Sequence, residues 1–233
     1  EAYALGVKKV FFPEFDVAMH KPQRHPHHMY SVGEHILHSV VLTEPDKVLR
    51  LTMLLHDIGK PQALTTDAEG ITHFHGHAAI SADMARTILR RLRFDNDTTD
   101  MVCRLVKYHD YGNSVDPDIR LVRRMLNRIG ESAFPALFQV KRADILAQSM
   151  FLREEKLKRL EKWERLYREV QEKNQCVSLK NLAVTGSDLI AAGLKPGKEI
   201  GAILQQLLEK VIEEPEYNTR EQLLAEVDRY LKN

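Results

Sequence analysis

The run LTMLLHDIGKP, residues 51–61, constrains the fold more than any other stretch, because it ends an apolar helix in two adjacent side chains that can both ligate a metal. Leu51, Met53, Leu54, Leu55 and Ile58 would bury the helix. The step of about 100° between neighbours then sets His56 and Asp57 astride a groove where an ion could sit. Lys60 stands at i+4 from His56 and i+3 from Asp57, hence on their face. Pro61 is expected to stop the helix and leave the polar trio near a rim that a substrate could reach.

Partners for the pair recur along the chain: His35 in YSVGEHILHSV, His77 in HFHGHAAISADMA, His109 in LVKYHDYG and Asp144 in QVKRADILAQ. Each sits in an otherwise apolar or small-residue helix pattern, where an ionisable group must be satisfied by a partner or by a metal. Nitrogen and carboxylate donors without thiolates suit a divalent ion: iron, manganese, nickel, zinc or magnesium. A buried salt-bridge network without metal is the alternative. The loop histidines His25, His27 and His28, and the alternating His73 and His75, lie near this set in sequence and read as solvent-facing or hydrogen-bonded groups, any of which could also line the site. His38 follows His35 on the same helix, and Asp110 could orient a neighbouring imidazole through its second N–H.

Helix signals dominate the rest. GEHILHSVVL, AAISADMARTILRRL, TTDMVCRLVKYH, DIRLVRRMLNRIG and SAFPALFQVKRADILAQS carry apolar residues at helical spacing between Pro, Gly, Asn and Asp breaks. No alternating run is long enough for a sheet, so the fold class is all-α. The expected organisation is a helical bundle over residues 1–148, a long connecting helix over 149–174 and a small helical tail over 175–233. In the connecting helix Leu152, Leu157, Leu160, Trp163, Leu166 and Val170 form the buried seam, and the alternating charges form a solvated face. In the tail, Thr185 to Asp188 would cap one helix and Lys195-Pro196-Gly197-Lys198 lead into another.

Composition removes several classes of function. With 233 residues, 43% of them hydrophobic, the chain can bury a substantial core. Its two cysteines make no disulfide framework, and Cys103 reads as packed core. No stretch is apolar for long enough to span a bilayer and no signal peptide opens the chain, so a cytoplasmic protein without a membrane partner is expected.

The order H…HD…H…H…D resembles the HD-domain superfamily of metal-dependent phosphohydrolases, over a span from about His25 to Gln148. The resemblance implies that His35, His56, Asp57 and Asp144 hold a first metal. It also implies that His77 and His109 hold a second, bridged by Asp57. Within that superfamily HPHHMYSVGEHIL, LLHDIGKP, HFHGHAAISADMA, VRRMLNRIG and KRADILAQ are most similar to the HD region of bacterial CCA-adding tRNA nucleotidyltransferases and related poly(A) polymerases. The segment from Asn181 to Leu224 looks like the C-terminal part of the same enzymes. The Gly-Gly and Arg-Asp phosphate loop and the paired aspartates of their nucleotidyl-transferring head have no counterpart here. The chain, which starts at Glu1, therefore reads as a piece of a longer enzyme or a free-standing protein without a head, unable to polymerise nucleotides by itself.

Two functions follow as expectations. The first is a metal-dependent phosphohydrolase acting on 2′,3′-cyclic phosphates, 2′-nucleotides or simple phosphomonoesters. In it Asp57 would hold the metal, Lys60 would bind a phosphate oxygen, and His77 or His109 would pass a proton to the leaving group. The second is a tRNA-binding body and tail with a structural or vestigial metal site. The net charge of +1 does not favour nucleic acid. Locally, Arg120, Arg124 and Arg128 fall at i, i+4 and i+8 with Arg123 beside them, a basic stripe of the kind that tracks phosphates, to which Lys195 and Lys198 could add. A solvated helix face, or pairing with acids from elsewhere, is the plain alternative.

Overall fold

Five helices of this chain begin where the sequence supplies a side-chain cap. Ser31 and Glu34 form a reciprocal capping box, Asp46, Asp95 and Asp118 each accept the backbone N–H three residues further on, and Thr185 pairs with Asp188 in a second box. The computed structural model describes residues 11–24 and 26–231. Those residues give, in chain order, α1 (Pro13–Met19), α2 (Val32–Val41), α3 (Lys47–Leu55), α4 (Lys60–Ala63), β1 (Thr65–Thr66), β2 (Thr72–His73), α5 (His77–Arg91), α6 (Asn96–Tyr108) and α7 (Ile119–Ile129). After them come α8 (Phe134–Ala147), α9 (Arg153–Glu172), α10 (Gly186–Ala191), α11 (Lys198–Glu213) and α12 (Arg220–Leu231), with short 3-10 turns between. The only sheet among these residues is the antiparallel pair β1–β2, with Thr65 opposite His73 and Thr66 opposite Thr72. The all-α class stands.

Two compact units result. The first takes the residues up to Asp116 together with Glu131–Glu161. Its central element is α3, which packs on α2, α5, α6 and α8, and its core includes Phe15, Ile36, Leu55, Ile58, Ala85, Leu89, Val102 and Val106. Gly59 fixes how α5 meets the end of α3. A Cβ there would come within 2.6 Å of the Ser81 backbone nitrogen, and the Gly59 N–H donates to the Ser81 hydroxyl at 2.9 Å. Only a glycine admits that approach, which brings the N-terminus of α5 beside the His56-Asp57 turn. Cys103 is packed in this core, where burial pushes its thiol up.

The second unit takes Pro117–Gly130 and the residues from Lys162 onward. Its core joins Leu189 of α10, Ile203, Leu207, Leu208 and Val211 of α11, and Leu223 and Val227 of α12. Helix α7 packs on α11 in this unit and buries Val122, Met125, Leu126 and Ile129.

Three local expectations change. Pro61 does not stop a long helix: α3 ends at Leu55, and Pro61 lies in the first turn of α4, where a missing N–H costs nothing. Leu152 is 43% exposed with φ +54° and belongs to the turn before α9, so the seam is carried by Leu160, Trp163 and Val170 instead. The boundary at 148 also shifts, because α7 belongs with the tail that covers its apolar face and α9 is shared between the two units.

Candidate functional site

Helix geometry brings the predicted histidines and aspartates of the first unit to one place. His56 is the C-cap of α3 and His109 the C-cap of α6, while His77 opens α5. In each, Nδ1 donates to the carbonyl three residues back: Met53 at 2.7 Å, Val106 at 2.7 Å and Phe74 at 2.8 Å. His35 in the middle of α2 turns Nδ1 toward the Ala147 carbonyl at 3.4 Å. Those bonds place a proton on Nδ1 and aim Nε2 inward. Backbone carbonyls thus take the orienting role that Asp110 was a candidate for. Asp110 instead approaches His77 Nε2 at 3.9 Å.

Asp57 lies at the centre. Its Oδ2 is 3.2 Å from His56 Nε2, 3.4 Å from His35 Nε2 and 2.7 Å from Lys60 Nζ. Its Oδ1 faces His77 Nε2 at 3.2 Å and His109 Nε2 at 3.6 Å. Asp144, from α8, closes the first group with Oδ1 3.0 Å from His35 Nε2 and 3.7 Å from His56 Nε2. His35, His56, Asp57, His109 and Asp144 are all buried. Burial opposes ionisation of both aspartates. The charges of His56 and Lys60 nevertheless hold Asp57 well below the usual carboxylate range, and hydrogen bonds from His35 and His56 do the same for Asp144. Burial likewise opposes the His56 cation, and Asp57 with Asp144 overcomes it, pushing the imidazole up to about 10.

Two features ask for a cation between these groups. Asp57 Oδ1 is buried yet makes no hydrogen bond. The Nε2 atoms face each other in pairs at 3.2 Å, His35 with His56 and His77 with His109, a contact that is repulsive unless a proton or a metal lies between. Two sets of ligand atoms, His35/His56/Asp57 and Asp57/His77/His109, each gather within 4.8 Å and could hold an ion apiece. The donor chemistry suits a divalent metal, with Asp57 shared.

A cavity of about 340 Å³ opens over this cluster, and His27, His28, His75 and Gln148 line it together with Asp57, His77 and His109. His28 is neutral there, since burial and the nearby Lys60 charge lower it to about 2. His73 is bonded to Asp67 at 2.7 Å, and His38 stacks on Tyr30 at the surface. His25 lies outside the described residues. Lys60 is buried rather than poised at a rim: it donates to Gln23 Oε1 at 2.9 Å, pairs with Asp57, and lies 5.2 Å from the centre of the Phe74 ring.

Three residues of this neighbourhood escaped the sequence reading. Gln23 accepts from Lys60, Gln148 donates to Asp144 Oδ2 at 3.1 Å, and the buried Lys141 donates to the Tyr111 carbonyl and to Asn113 Oδ1, each at 2.7 Å. Lys141 thereby ties down the loop that follows His109, and burial lowers its ammonium to about 8. Gln148 had a signal, its i+4 spacing from Asp144. The partners of Gln23 and Lys141 are distant in sequence and left none.

In the second unit Arg120, Arg124 and Arg128 are exposed on one face of α7. Arg124 lies 3.4 Å from Glu213, an acid of the kind the plain alternative invoked. Arg123 does not join the stripe. It is buried, and its guanidinium donates to the carbonyls of Ile212 at 2.6 Å and Glu213 at 3.1 Å and to Gln175 Oε1 at 3.1 Å.

Residues 62–227 match the family model of tRNA nucleotidyltransferase domain 2. The CC-adding tRNA nucleotidyltransferase of Thermus thermophilus is 31% identical over 88% of this chain and 46% of its own length. The A-adding tRNA nucleotidyltransferase of Deinococcus radiodurans is 29% identical over 88% of the chain and 48% of its own length. A multifunctional CCA protein of Azoarcus is 35% identical over 45% of the chain and 26% of its own length. The chain therefore spans about half the length of the first two relatives. Both are named for adding nucleotides to tRNA and neither for hydrolysing a phosphoester, which overturns the expectation of a hydrolase set apart from the nucleotidyltransferases. With a family model covering most of its length and a relative 31% identical along nearly all of it, the chain belongs to the tRNA nucleotidyltransferase domain 2 family.

Proposed function

We propose that this chain is the tRNA-holding body and tail of a tRNA nucleotidyltransferase-type protein, and that its buried histidines and aspartates form an HD-type metal centre that serves the fold. The observation that carries the first part is the reach of the likeness to the CC-adding enzyme: 88% of the chain, through both units, against 46% of the relative. A segment that accounts for half of such an enzyme has a substrate to hold in place. The exposed Arg120, Arg124 and Arg128 on α7, with Lys195 and Lys198 exposed in the same unit, supply cations for backbone phosphates. The centre would take one or two divalent ions on His35, His56, Asp57 and Asp144 and on Asp57, His77 and His109. An ion there would supply the positive charge that the buried carboxylates and facing imidazoles lack.

The test is a fluorescence-anisotropy titration of tRNA at several salt concentrations. The parent chain should bind with a steep salt dependence and little preference among tRNAs, because contacts to phosphates position without reading sequence. Arg124→Glu with Arg128→Glu should flatten the slope of log affinity against log salt by roughly one unit per lost contact. Absence of tRNA binding at low salt would overturn the reading. An unchanged slope in the double variant would return the stripe to a solvated helix face.

A further inference from the structure

Beside the cavity over the His-Asp cluster lies a second one of about 370 Å³. The two share His27, His28, Asn113 and Gln148 along their walls, so they are lobes of one groove in the first unit. The second lobe is lined by Lys156 and Arg159, one turn apart on α9. Lys156 Nζ donates to Gln148 Oε1 at 2.6 Å and lies 3.0 Å from His27 Nδ1, and Arg159 donates to the Asn113 carbonyl. All of these acceptors are neutral. Among the described residues no carboxylate lies within ion-pair distance of either cation; Glu155 shares the lining of the lobe, and Asp144 acts on Lys156 only from further off. Lys156 is also half-buried, and that burial works against its charge. An anion seated in the lobe would relieve both cations at once.

An aromatic ring stands beside the lobe, against one of its lining residues. Phe151 is 47% exposed just ahead of α9, and its ring centre is 4.9 Å from that of His27, which lines both lobes. Cations that follow a backbone, beside an exposed ring on which a base can stack, are the combination that holds single-stranded nucleic acid without reading its sequence. Each lobe also has the volume of a small-molecule site, of the order of 300 Å³ or more, which exceeds the need of a lone phosphate.

From this juxtaposition we infer that the second lobe is a subsite for the end of a single-stranded oligonucleotide, with Lys156 and Arg159 on a backbone phosphate and Phe151 beneath a base. The inference rests on the reading that the chain handles RNA, but it concerns the first unit and none of the α7 arginines.

The experiment is the anisotropy of a fluorescein-labelled RNA tetranucleotide on the full chain, run beside tRNA. The parent should bind the tetranucleotide, and Lys156→Gln with Arg159→Gln should weaken it by about tenfold or more, about 1.4 kcal/mol or more for the two lost charged contacts together. Phe151→Ala should weaken it by about fivefold, the lower end of what one stacked base contributes. Arg159→Lys, which keeps the charge, should bind better than Arg159→Gln, a comparison that holds even if the double variant folds poorly. Tetranucleotide binding without tRNA binding would support the subsite and sink the tRNA reading. tRNA binding without tetranucleotide binding, or equal affinity in the parent and the Arg159→Gln chain, would overturn the subsite. Displacement by inorganic pyrophosphate together with an unaltered Phe151→Ala affinity would mean an anion site with no base contact, and would overturn the oligonucleotide assignment.

Discussion

One carboxylate, Asp57, faces two pairs of imidazoles, and the electrostatics of the first unit turn on it. Without an ion, Lys60 and protonated histidine are the cations in contact with Asp57 and Asp144 among the described residues, with Lys141 and Lys156 acting on Asp144 from further off, and both acids are held low while His56 is raised to about 10. The signs of the linkage give a pH window. The acids contribute stability that is present above their ordinary value of 3.8 and is lost as pH falls below it. His56 contributes stability that is fully present below its ordinary 6.5 and is lost as pH rises through about 10. His77, raised in the same direction, adds to that loss. The chelator-treated protein should therefore lose Tm on going from pH 6.5 to 9, while the buried neutral His28, lowered to about 2, costs stability as pH falls below 6.5, with each kcal/mol worth about 2–4 °C in a chain of this size. Protein loaded with a divalent metal should show no such fall, because metal ligation needs the neutral imidazoles that high pH favours. Thermal melts across that range check it. A flat Tm from pH 6 to 9 in the chelated protein would mean the imidazoles do not share protons with the aspartates.

At the scale of the element, α7 shows how a helix divides its side chains between packing and surface. Its sequence offers four arginines in nine residues, and adjacent positions differ by about 100°, so Arg123 and Arg124 cannot point the same way. Arg123 turns into the second unit and donates to the last carbonyls of α11, groups that have no partner within their own helix. Arg123→Met should destabilise the second unit by about 2 kcal/mol or more, the scale of charged hydrogen bonds to buried carbonyls. It should also leave the salt slope for tRNA as in the parent, opposite to Arg124→Glu with Arg128→Glu. Urea unfolding followed by hydrogen exchange in α11 measures the first effect. Parent-like protection of the Ile212 region would show that the clamp is dispensable.

For the whole molecule, two hydrophobic cores imply that a disturbance at the cluster is felt first in the unit that contains it. Removing metal should lower the unfolding temperature of that unit, since an ion that binds only the folded state adds about 4 kcal/mol when present at a thousand times its dissociation constant. Hydrogen exchange in α2, α3, α5 and α6 should quicken on chelation while exchange in α11 and α12 holds steady. Asp57→Ala should abolish the response to added manganese, nickel or iron. A chelator that changes neither the melt nor the exchange of these helices would remove the metal centre from the account.

The sequence by itself determined the all-α class, the capped helix starts and the identities of the converging groups. Caps such as Ser31, Asp46 and Thr185 act within one turn, and His35, His56, Asp57, His77, His109 and Asp144 stand out as ionisable groups in apolar helical patterns. Such signals are local in the chain, so they can be read along it. Tertiary structure decided the matters that depend on residues far apart. It chose backbone carbonyls over Asp110 to orient the imidazoles, and it buried Lys60 against Gln23. It tied Lys141 to the loop after His109 and took Arg123 out of a stripe whose spacing includes it. It also assigned α7 to the tail, because the helix's apolar face meets α11, which lies far along the chain beyond α8, α9 and α10. Periodicity says that a face will be covered, but it does not name the helix that covers it, since that choice is made by packing between segments that no local pattern connects.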